Sequence, residues 1–184
     1  MFIQLLDFLI QVAGSFWIGL FLFRFYCLLI KCNLNLIGGN ISQFIFKLTD
    51  WAVLPLRKIL PKSGNFDLPT FLCAYGIQCL ILSFHFFLFK GHLPDLSLFI
   101  LGIFELISTA ISALTWLVII YVVVNWISSK DEIRYLVEKL VFPLLSPIKK
   151  LIPSIGGLDL SAFFLLLVFQ IANIFLINIK PLFI

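Results

Sequence analysis

The chain has 184 residues, 62% of them hydrophobic and 12% charged, with a formal net charge of +4. A soluble domain of this length carries about twice that charge, and a globule cannot bury so much apolar surface because area falls too slowly with size. Composition therefore excludes an ordinary soluble enzyme or nucleic-acid module, and the length allows four or five membrane spans with short connections.

The first apolar run covers about Leu5–Ile30, with Asp7 and Arg24 as its charges. It lacks a basic start and outruns the apolar core of a leader peptide, so no cleaved signal is expected. A connection carrying Lys31, Lys47, Arg57, Lys58 and Lys62 follows. Within it, residues 41–51 place Ile41, Phe44, Ile45 and Leu48 on one helical face and Gln43, Lys47 and Asp50 on the other, the pattern of a short interfacial helix.

The second run is Leu68–Phe89, and the third, Leu96–Ile127, contains Glu105 and is long enough to tilt or to continue past the bilayer. The next connection carries Lys130, Arg134, Lys139, Lys149 and Lys150, and its residues 132–142 repeat the amphipathic spacing through Ile133, Leu136, Val137 and Leu140. The fourth run is Leu160–Ile179. Each run meets the roughly 20 residues needed to cross the hydrocarbon core. Only Lys90 and Lys180 lie on the side opposite the two basic connections. This asymmetry predicts both basic connections in the cytoplasm and both termini outside.

The sequence repeats itself at a constant shift of 92 residues, Pro55 falling on Pro147. Pro55-Leu56-Arg57-Lys58-Ile59-Leu60-Pro61 matches Pro147-Ile148-Lys149-Lys150-Leu151-Ile152-Pro153. Gly64 then meets Gly156, Asp67-Leu68 meets Asp159-Leu160, Phe71 meets Phe163, and Gln78 meets Gln170. The prolines predict helix ends, the glycines a chain reversal, and Asp67 and Asp159 the N-caps of the following spans. The expected fold is an all-α integral membrane protein with four transmembrane helices in two parallel tandem repeats, residues 1–90 and 96–184. Each repeat holds two spans and one interfacial amphipathic helix, and a pseudo-two-fold along the membrane normal would relate the copies.

The duplicated basic element between prolines, with its glycine and aspartate, resembles the YggT family of small bacterial membrane proteins, which has plastid relatives. The likeness covers nearly the whole chain and is particularly close over Leu48–Pro61. Family members often carry an arginine late in the first span of each repeat. Arg24 fits the first copy, while Tyr121 or Asn125 stands in the second. The resemblance implies a non-enzymatic protein of the bacterial inner membrane. Bacterial members are linked to extracytoplasmic stress such as osmotic shock, Gram-positive relatives to cell division, and plastid relatives to cytochrome b haem attachment and nucleoid distribution.

Several polar residues stand out as candidate sites. Glu105 should lie about 13 Å into its span at about 1.5 Å per residue, followed by Ser108, Thr109 and Ser112, with Asn173 at similar depth. A proton or cation pathway and a protonated carboxyl bonded between helices are both open readings. Arg24 is expected to snorkel to inner-leaflet phosphates. Gln78 and Gln170 are expected near mid-membrane, either bonded across the internal axis or each gluing its own helix pair. Arg57-Lys58 and Lys149-Lys150 read as topology signals that bind anionic head groups, or as a docking surface for a partner. A partner docked there would be a cytoplasmic protein, and the chain as a whole is expected to pair with another membrane protein or a second copy of itself. Cys27, Cys32, Cys73 and Cys79 form no CxxC pair and read as packing residues. His85 and His92 are too few and too separate for a dedicated site, and no cofactor, metal or nucleic acid is expected. A scaffold or accessory role is the leading expectation, and a small channel or transporter using Glu105 is the alternative.

Overall fold

Residues 1–30, 39–60, 66–91, 97–127, 132–150 and 160–180 are described by the computed structural model. With little water to serve backbone groups, an apolar chain must satisfy them internally, and helices do so within one segment. The described residues form six helices: α1 (Phe2–Leu29), α2 (Gly39–Ile59), α3 (Leu68–Lys90), α4 (Ser97–Ile127), α5 (Glu132–Lys149) and α6 (Leu160–Ile179). Four of them are long and apolar enough to cross a membrane: Phe2–Leu29, Leu68–Phe89, Ser97–Ile127 and Leu160–Ile179. These are the four runs of the sequence, moved by a few residues at most. Helix α3 stops at Gly91, whose φ of 68° lets its N–H bond the Phe87 carbonyl at 3.2 Å, a left-handed cap that glycine adopts without a Cβ clash.

The two amphipathic helices are longer than the periodicity indicated. α2 continues through Pro55, and α5 through Pro143 and Pro147. The expectation that Pro55 and Pro147 would end their helices is therefore corrected. Each proline forfeits one backbone bond, but packing on both sides of it holds the helix. In α2 the buried stripe is Ile45, Thr49 and Val53, with Leu56 packed against the core beyond the proline. In α5 it is Leu140, Val141 and Leu145, with Ile148 beyond Pro147. Of the apolar face read from the sequence, Ile45 is buried and Phe44 is exposed. Pro61, Gly64, Pro153, Gly156, Asp159 and His92 lie outside the described residues.

The chain divides into two compact units, residues 1–110 with 179–184, and residues 111–178. In the first, Ile18 and Phe21 of α1, Val53 of α2, Cys73 and Ala74 of α3 and Leu106 of α4 form one buried cluster. Gly14 brings α1 so close to α3 that a Cβ there would collide with the Ile81 side chain. The indoles of Trp17 and Trp51 meet edge to face at 5.9 Å. At Gly102 of α4, a Cβ would fall 2.9 Å from the Cys79 sulfur, and the Tyr75 hydroxyl nearby donates to the Phe99 carbonyl at 2.9 Å.

The second unit builds its core from Val118 and Tyr121 of α4, Val141 and Leu145 of α5, and Ala162 and Leu165 of α6. Val53 and Leu145, and Cys73 and Leu165, are partners under the 92-residue repeat, and so are the buried pairs Thr49 and Val141, and Thr70 and Ala162. The second copy therefore fills the same places with less polar side chains. Large apolar residues such as Phe8, Val12 and Phe16 on α1, and Phe163, Ile171 and Phe175 on α6, are half or more exposed. That surface suits lipid and would be a liability in water.

Candidate functional site: a polar cavity in the first unit

A single acid, base or amide inside a span is expensive, about 2.5–3.5 kcal/mol for a charged side chain on insertion scales, and it is retained where it finds partners or water. Helix α1 carries Asp7, Gln11 and Ser15 at four-residue intervals, hence on one face. The same spacing puts Leu101, Glu105 and Thr109 on one face of α4, while Gln78 and His85, two turns apart, share a face of α3. Apart from Asp7, which lies behind Gln11 and His85, these residues line a cavity of about 440 Å³ together with Lys180 from the far end of the chain.

An ion pair and a carboxylate–imidazole contact organise its walls. The Lys180 ammonium bonds the Glu105 carboxylate, with side chains 33% and 30% exposed. Asp7 is buried, and its carboxylate accepts from the Gln11 amide at 2.8 Å and faces His85 Nδ1 at 3.1 Å. Thr109 donates its hydroxyl to the Glu105 backbone carbonyl at 2.8 Å. The cavity can thus offer charges of both signs and neutral amides in a partly open space between apolar helices.

Glu105 and Gln78, two of the sequence candidates, are brought together here; Gln78 is 8% exposed. Gln170, its repeat partner, is exposed on α6 in the second unit, and Asn173 belongs to that unit too. The two glutamines therefore sit in unlike surroundings. Asp7, Gln11, Ser15, His85 and Lys180 were not among the sequence candidates. The four-residue polar spacing on α1 was a readable signal, whereas nothing in the local sequence of Lys180 pointed to Glu105.

Arg24 does not snorkel. Its side chain is 1% exposed, and its guanidinium donates to Asp50 at 2.8 Å and to the Thr49 hydroxyl, with its carbon 4.7 Å from the Phe46 ring centroid. The expectation missed that α2 folds back to bring an acid within reach, which is a nearer partner than any phosphate. Arg57 donates to Asp67 at 2.7 Å, with its side chain 24% exposed. Asp67 does occupy the N-cap position of α3, but its carboxylate takes Arg57 and the Thr70 hydroxyl, the latter at 2.6 Å, instead of a backbone N–H. In the second unit Lys149 reaches the Tyr121 hydroxyl at 3.5 Å. Lys58 and Lys150 are exposed.

Apolar spans joined by amphipathic helices, with paired polar groups inside, define a multi-pass α-helical membrane protein. The chain belongs to the CCB3/YggT family, whose model matches residues 3–88 and again 100–180, one match for each repeat. It is 38% identical over 137 residues to an uncharacterized protein encoded in the proC 3' region of Vibrio alginolyticus, covering 72% of this chain and 73% of that one. It is 29% identical over 169 residues to the uncharacterized protein YggT of Escherichia coli K12, covering 91% and 87%. An uncharacterized protein of Pseudomonas aeruginosa is 31% identical over 175 residues, covering 93% and 87%. No solved structure matches the chain.

Proposed function

We propose that this chain is a non-enzymatic scaffold or accessory protein of the bacterial cytoplasmic membrane, assisting the assembly of other membrane proteins or the response to extracytoplasmic stress such as osmotic shock. One observation carries this reading. Helices α2 and α5 are each pinned by a buried stripe, and this leaves Lys47, Lys58 and Lys150 exposed beside large apolar side chains such as Trp51 and Phe142. Such a surface suits anionic head groups, at about 1 kcal/mol for each basic residue, and it suits the flank of another membrane protein. The charge asymmetry supports placing this surface in the cytoplasm and both termini outside.

Crosslinking in intact membranes, from photoreactive residues placed at Trp51 and Phe142, tests the reading. A discrete protein adduct, weakened by Lys58→Glu and Lys150→Glu, is expected. Adducts to lipid alone would sink it. The polar cavity favours a second reading, a small channel or transporter. Flux through proteoliposomes that disappears in Glu105→Gln would establish that alternative.

A further inference from the structure

We propose that the cavity of the first unit is a binding site for a zwitterion, meaning one molecule or head group that carries an ammonium and an anionic oxygen group close together. The walls present one carboxylate and one ammonium to the cavity, with the His85 imidazole, 42% exposed, beside them. Glu105 and Lys180 are each about one-third exposed, whereas the Asp7 side chain, at 11%, is covered by Gln11 and His85. Lys180 takes one Glu105 oxygen, so the second carboxylate oxygen and the other ammonium N–H groups can meet a ligand without breaking the pair. A lone cation or a lone anion bound there adds a net charge among apolar helices, which is unfavourable. A zwitterion adds none and converts one ion pair into two.

The remaining lining fits this role. Gln78 and Ser15 supply neutral hydrogen-bonding groups, and Leu101 and Phe86 supply apolar surface for a short carbon link. With water occupying about 30 Å³ per molecule, a space of about 440 Å³ takes a ligand of this kind with solvent to spare. Lys180 belongs to the first unit, although it lies 75 positions beyond Glu105 in the chain. The site is therefore completed by the far end of the chain, which a local helix-packing role for Glu105 would not require. The occupant is a free amino-acid-like solute or a zwitterionic phospholipid head group entering from the bilayer. Neither depends on the scaffold reading, since binding needs no partner protein.

The test is calorimetric titration of the full chain in nanodiscs of phosphatidylglycerol. Glycine and phosphoethanolamine are the zwitterionic probes, with ethylamine and phosphate as singly functional controls. At least one zwitterion should bind at least about tenfold more tightly than either control, and Glu105→Gln or Lys180→Gln should each weaken it by at least about tenfold. The charge-swapped double variant Glu105→Lys, Lys180→Glu should regain binding with the ligand reversed. In nanodiscs of phosphatidylethanolamine, binding of the soluble probe is lost if the head group is the occupant and unchanged if the occupant is a free solute. Three results overturn the proposal: no zwitterion bound, controls bound equally well, or binding indifferent to both single substitutions. A charge-swapped protein that keeps its melting temperature yet binds no zwitterion overturns it too.

Discussion

The buried guanidinium of Arg24 on α1 closes onto the Asp50 carboxylate of α2 at 2.8 Å, tying the amphipathic helix to the first span. Removing one member of a buried ion pair costs about 3–5 kcal/mol. Asp50 is 35% exposed, so solvent screens part of that loss. Asp50→Ala should cost about 2 kcal/mol and lower the melting temperature in detergent. The double variant Arg24→Met, Asp50→Leu should recover most of the loss, because no orphaned charge remains. Equal destabilisation of single and double variants would show that the pair is not what holds α2.

Arg57 and Asp67 make the second such tie, closing α2 onto the start of α3. Asp67 is 3% exposed and also accepts from Thr70, so Asp67→Ala strands two donors. It should cost about 3–5 kcal/mol, against about 1.5 kcal/mol for Thr70→Val, which removes one hydroxyl–carboxylate bond and leaves the Arg57 tie in place. Chemical denaturation in mixed micelles would rank them, and a smaller effect at Asp67 would contradict the geometry.

Gly14 sets the approach of α1 to α3. Gly14→Val places a side chain where Ile81 already lies, an overpacking expected to cost about 1–3 kcal/mol. Ile81→Ala should return part of that stability by opening the space. A double variant no more stable than Gly14→Val alone would mean that the contact is not limiting.

Accessibility offers a check on the cavity that needs no ligand. In a cysteine-free background, Gln11→Cys and Thr109→Cys should react with a small, membrane-impermeant thiol reagent added to the side of the termini. Phe16→Cys, whose native side chain is on the exposed apolar face of α1, should not. Labelling of the two cavity positions only from the opposite side would reverse the proposed orientation.

The spans were legible because a run of some 20 apolar residues is itself the physical requirement for crossing lipid, and no distant partner is needed to recognise it. The repeat and the family were legible for a similar reason: the basic elements around Pro55 and Pro147, with the aspartates that follow, are local patterns. The paired helices α2 and α5 were half legible. Periodicity found their amphipathic cores but stopped them near Trp51 and Phe142, since it carries no information about the packing that sustains a helix through proline.

Periodicity tells which face of a helix is polar, and not which other face it will meet. Arg24 and Asp50 are 26 positions apart, Glu105 and Lys180 are 75, and Asp7 and His85 are 78. In each case a lone charge in an apolar run had a plausible exit to lipid or water, and the snorkelling expected of Arg24 rested on that. Only the assembled helices supplied the nearer partner. The sequence by itself determined a four-span, duplicated, basic-sided membrane protein of the YggT family. Tertiary structure decided that its intramembrane charges are matched in pairs, because burial makes an unmatched charge costlier than folding a distant segment back to meet it.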